Sequence, residues 1–161
     1  MSIDNLQDLF VHELRDVLDA ERQLLKALPK LAKAAESAEL KAAFEEHASV
    51  TEEQIGRIET IFKSLDMAAR GKHCVGMEGL VAEGAELIKE EEPGVQLDAA
   101  LICAAQKAEH YEIASYGSLI AYAKLLEMDE AVELLAASLA EEKATDEKLT
   151  AIASELNLAA V

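Results

Sequence analysis

Between Ile3 and Leu31 the apolar residues Ile3, Leu6, Phe10, Leu14, Val17, Leu18, Leu24, Leu25, Leu28 and Leu31 return every three or four positions. That spacing lines one face of an α-helix, and Asp4 with Gln7 gives it a start signal. Pro29 removes a backbone donor and predicts a bend in the last third. A second stripe, Leu40, Phe44, Ile55, Ile58, Phe62 and Leu65, follows a capping residue at Ser37. A third runs from Leu97 to Met128 through Leu101, Ala105, Ala108, Ile113, Leu119, Ala123 and Leu126. The fourth starts near Asp129 and carries Val132, Leu135, Leu139, Leu149, Ile152 and Leu156.

From Asp66 to Gln96 the period weakens around Gly71, Gly76, Gly79, Gly84 and the stop Glu92-Pro93-Gly94, with Met77 to Ile88 reading as a short helix. Roughly 30 residues is too long for a turn but enough to carry the chain from one end of a bundle to the other. The second and third long helices are then parallel. The pattern predicts one all-α domain over residues 1–161, a four-helix bundle whose long crossover holds a short extra helix.

Polar residues break these stripes at related heights. Glu21 lies inside the first stripe, His47, Thr51 and Gln54 inside the second, Glu109 and Glu112 inside the third, and Glu142 and Asp146 inside the fourth. With a turn near Ser37, Glu21 stands 16 residues before it and Gln54 17 after it. With a turn near Glu127, Glu109 and Glu112 stand 18 and 15 residues before, and Glu142 and Asp146 15 and 19 after. Antiparallel pairing brings these positions to one level within about a helical turn, roughly 5 Å. Five carboxylates leaving water together must be protonated, paired or bound to a cation. His47 lies seven residues from Gln54, about 10 Å along the axis, so its reaching the same ion needs a register shift or an intervening water.

Composition narrows the chemistry. The 161 residues are 51% apolar, rich in Ala, Leu, Glu and Lys, and poor in Gly, Pro and aromatics, which suits helices over strands. A net charge of −17 disfavours nucleic acid and anionic membranes and favours cations. Cys74 and Cys103 form no zinc or rubredoxin-type cluster and read as free thiols. The start Met1-Ser2-Ile3-Asp4-Asn5 is not a signal peptide, so a cytoplasmic location is expected. Carboxylates with little nitrogen and no thiolate suit iron or manganese over zinc or copper(I).

Three segments carry a resemblance. Ala20-Glu21-x-Gln23-Leu24, Glu109-His110-Tyr111-Glu112-Ile113-Ala114-Ser115-Tyr116-Gly117 and Glu141-Glu142-Lys143-Ala144-Thr145-Asp146 resemble the YciE/YciF-type ferritin-like stress protein family over nearly the whole chain. The resemblance implies a ferritin-like four-helix bundle that forms a homodimer. It extends to the rubrerythrin branch of di-iron proteins, where Glu21 matches the glutamate of the first helix, Glu109 and Glu112 those of the third, and Glu142 that of the fourth. Asp146 replaces the histidine expected on the fourth helix. On the second, Thr51 stands where a bridging carboxylate, and Gln54 where a histidine, is expected.

Two functional readings follow. In the first, Glu21, Glu109, Glu112, Glu142, Asp146 and His47 hold a dinuclear iron or manganese centre, with Thr51, Gln54 and Tyr116 supporting them. Dioxygen or peroxide is then the small-molecule substrate of ferroxidase- or peroxidase-like chemistry. The second, favoured by the departures at Thr51 and Gln54, is a non-enzymatic stress dimer whose acidic layer is protonated and metal-free.

Overall fold

A computed structural model describes residues 3–161. Five helices follow one another: α1 (Leu6–Ala34), α2 (Ala38–Ser64), α3 (Val75–Glu90), α4 (Val95–Leu125) and α5 (Asp129–Ala159). The first cap is Asn5, one residue after the expected Asp4, and its side chain accepts from the Asp8 amide at 2.9 Å. Ile3 is half exposed and takes no part in the core. The helix continues through Pro29, whose ring is exposed, to Ala34. Ser37 caps α2 as expected.

The ends of α2 and α4 are made without glycine. Asp66 and Glu127 take positive φ values of 52° and 56°. The Met67 amide then reaches the Phe62 carbonyl and the Met128 amide that of Ala123, both at 3.0 Å, closing two Schellman-type turns. Helix α4 therefore stops at Leu125, short of the Met128 limit set by the apolar stripe.

Helices α1 and α2 form one hairpin and α4 and α5 the other. Helix α1 packs on α4, and α2 on α5. Glu46 meets Lys148 while Gln54 meets Glu141, so α2 is antiparallel to α5. Gln106 meets Thr150 while His110 meets Asp146, so α4 is antiparallel to α5 as well. Helices α2 and α4 are thus parallel, as the long crossover requires. At the turn between α1 and α2, the buried Asp98 of α4 accepts from the amides of Glu36 (2.9 Å) and Ser37 (2.7 Å), tying one hairpin to the other.

The crossover lies over α1 and α4. Lys72 donates its amide to the Arg15 carbonyl at 3.0 Å, and Cys74 donates its amide to Asp19 at 2.8 Å. Helix α3 then packs against both long helices, with Gly84 beside Leu31 and Ala104. Both cysteines are free, Cys74 buried and Cys103 exposed. Among the described residues, no helix is long and apolar enough to cross a membrane.

The core has two apolar sections. One gathers Leu24, Leu28, Phe44, Met77 and Leu101, and the other Phe10, Leu14, Ile58, Phe62 and Leu119. A layer of polar side chains lies between them.

Candidate metal centre

Each long helix contributes to that layer: Glu21 from α1, His47, Thr51 and Gln54 from α2, Glu109, Glu112 and Tyr116 from α4, and Glu142 from α5. All are buried. Ligand atoms of His47, Glu109, Glu112 and Glu142 lie within 4.8 Å of one another. Donors about 2.1 Å from a shared ion stand at most about 4.2 Å apart, and closer when adjacent, so the group must close by about 0.6 Å or more to hold one.

The group is short of donors. With every carboxyl ionised, Glu21 Oε2, Thr51 Oγ1, Gln54 Oε1, Glu109 Oε2, both oxygens of Glu112, Glu142 Oε2 and His47 Nε2 have no hydrogen-bond partner among the described residues, and only a proton shared between carboxyls or a cation could satisfy them. His47 Nε2 lies 3.1 Å from Glu109 and 4.0 Å from Glu142, without the alignment of a hydrogen bond. The partners that do exist sit at the edges. Tyr116 donates its hydroxyl to Glu21 Oε1, and Gln54 donates to Glu142 Oε1. Gln54 also reaches Glu141 at 3.2 Å, and Arg57 grips Glu141 through two bonds of 2.5 and 2.7 Å. A line of polar contacts thus runs from Arg57 at the surface to Glu142 inside.

Burial is the main cause of the shifted acidities. It raises Glu21 to about 8, with the Glu142 charge adding to the effect and the Tyr116 bond opposing it. Glu142 rises to about 9 through burial and its hydrogen bond to Glu109, and Glu109 to about 7 through burial, opposed by that same bond. Glu112 is pushed well above the usual carboxylate range by burial and then by Glu21, Glu142 and Glu109. With no cation among them, these carboxyls must hold shared protons at neutral pH. Glu112 pairs with Glu21 in this way, and Glu142 with Glu109.

Two of the expected positions differ from their sequence reading. Asp146 is turned away from the group: it accepts from His110 Nε2 and Gln106 Nε2, both at 3.1 Å, on the seam between α4 and α5. His47 joins the group directly. The layer extends along the axis, with Glu109 level with His47 and Glu142 level with Gln54, so the 10 Å between His47 and Gln54 is spanned by the acids themselves. The clue was available, because Glu109 is displaced from Glu112 toward the Ser37 end, as His47 is from Gln54. Glu141, which the sequence offers only as the first residue of the Glu141–Asp146 run, has no periodic signal that would mark its place beside Gln54 and Arg57.

The family described as a domain of unknown function (DUF892) matches residues 5–161. Protein YciF of Escherichia coli K12 is 46% identical over 154 residues, covering 95% of this chain and 93% of that one. The crystal structure of the E. coli stress protein YciF superposes with a TM-score of 0.92 at 45% identity, over 95% of this chain and 97% of that one. YcfI of Rhodopseudomonas palustris gives a TM-score of 0.90 at 41% identity, over 92% and 95% of the two chains. A Xanthomonas campestris protein at 18% identity and a TM-score of 0.79, covering 96% and 95%, shares the fold.

Proposed function

This chain belongs to the DUF892 family, and from that premise we propose that it is a stress-related ferritin-like protein whose bundle core binds iron or manganese. The observation that carries this reading is the set of eight buried oxygen and nitrogen atoms, contributed by four helices, that no fixed donor of the chain satisfies while the carboxyls are ionised. Carboxylates and one imidazole are the donor set that divalent iron and manganese accept. His47 and Glu109 would hold an ion at one end, and Glu21 with the Gln54 carbonyl oxygen would face a second at the other. Glu112 and Glu142, in the same group as His47 and Glu109, would complete the carboxylate set. When bound, such a pair of ions supplies the means of passing electrons to dioxygen or peroxide.

The chain's own residues give this chemistry its setting. The apolar sections on either side exclude water, which strengthens every charge interaction within the layer. Tyr116 fixes Glu21, and the Arg57–Glu141–Gln54 line fixes Glu142. A homodimer and a cytoplasmic setting complete the proposal; sedimentation analysis tests the first.

Metal content decides the main point. Protein purified from metal-supplemented culture should hold near-stoichiometric iron or manganese, and a Glu109→Ala, Glu142→Ala double variant should lose it. A saturating ion at 100 times its Kd should also add about 2.7 kcal/mol of stability to the native chain. Absence of both effects would leave the second reading, a proton-filled structural layer, which the Gln54–Glu142 and Tyr116–Glu21 bonds favour. Loading without oxidation of Fe(II) would assign storage or structure in place of catalysis.

A further inference from the structure

On the outer side of His47 the seam between α2 and α5 opens. Ala43, His47 and Val50 on one helix and Ala144 and Thr145 on the other enclose a cleft of about 210 Å³, with Glu46, Glu141 and Lys148 at its rim. This is room for several waters. It exists because the facing residues are small: Ala43 and Ala144 stand where a larger side chain would close the seam. His47, only 3% exposed, forms the inner wall. Its Nδ1 faces Thr145 Oγ1 at 3.5 Å on the cleft side, and its partnerless Nε2 faces Glu109 at 3.1 Å on the other. One imidazole ring separates the cleft from the buried acids.

We infer that this cleft is the route by which a divalent cation reaches and leaves the buried carboxylates, with the His47 ring as its gate. The inference rests on the metal-binding reading above. A cation shedding water needs oxygen donors on its way, and Glu46 at the rim and Thr145 further in offer them, while both oxygens of Glu141 are held by Arg57 and Gln54. The −17 charge of the chain concentrates cations around it. Lys148 opposes passage through its pair with Glu46, but both partners are exposed and water competes for them. On the cleft side the ring has a single long contact to Thr145, and on the other its 3.1 Å approach to Glu109 lacks hydrogen-bond alignment, so turning it breaks no well-formed hydrogen bond.

Stopped-flow mixing of metal-free protein with Co(II), followed by the absorbance of the bound ion, measures the rate, and elemental analysis measures the final loading. Ala144→Phe fills the cleft from an exposed position, and Ala144→Leu fills it less. The expected result is a fall in association rate of about tenfold or more for phenylalanine and a smaller fall for leucine, with final loading unchanged. Lys148→Glu should raise the rate several-fold at low ionic strength. Lys63→Glu makes the same change in net charge about 24 Å along α2 from His47 and should leave the rate close to that of the native chain. Native rates in both Ala144 variants, or equal rates in the two lysine variants, would overturn the route while leaving the metal site intact. A native chain that binds no Co(II) would remove the metal reading and the route together.

Discussion

Four carboxyl groups within a few ångströms in a dry interior cannot all be ionised unless something positive lies among them. In the metal-free chain protons fill that role, and this sets the sign of its pH dependence. Glu109, Glu21 and Glu142 hold their protons up to about 7, 8 and 9 in the folded chain, against about 4.5 when unfolded. The folded state therefore binds more protons in this window. The stability these groups contribute is full below about pH 4.5 and is lost as pH rises through about 7 to 9. Urea titrations in chelator at pH 5, 7 and 9 should show this decline, and Glu142→Gln should flatten it. The variant is needed because general repulsion in a −17 chain also grows with pH. Glu21, Glu109, Glu112 and Glu142 were legible in the sequence because each interrupts an apolar stripe. Asp146 sits on the edge of its stripe, where Gln106 and His110 of α4 compete for it. Spacing alone does not separate the middle of a helix face from its margin.

At the scale of elements, the four long helices were written in their periodicity, whereas their ends were not. Asp66 and Glu127 adopt the left-handed backbone that usually marks a glycine stop, and the bonds from Met67 and Met128 hold them there. The docking of α3 was also illegible, since beside its apolar contacts it includes a close approach at a glycine. A Cβ at Gly76 would lie 2.8 Å from Tyr111 Cε2. Tyr111 has little freedom to yield, because its hydroxyl donates to Asp16 at 2.5 Å and contacts Cys74 Sγ at 3.0 Å. Gly76→Ala should therefore lower stability by about 1–3 kcal/mol in urea titration. Gly79→Ala, in the same helix with open space around it, should be neutral or stabilising by up to about 1 kcal/mol.

For the whole molecule, hairpin arithmetic and the length of the crossover were enough to place α2 parallel to α4 and to bring acids from different helices to one level. The side to which the crossover goes was not encoded in any pattern, and it gives the bundle two unlike flanks. Helix α3 and the segment before it shield α1 and α4, while among the described residues no further helix packs over α2 and α5. Backbone amides on the two flanks should then trade hydrogen for deuterium unequally. Mass spectrometry of exchanging protein should find the middle of α1 and α4 protected longest and the stretch around Ala43–Val50 and Ala144–Lys148 labelled earlier, by a factor of about ten if the local opening energies differ by about 1.4 kcal/mol.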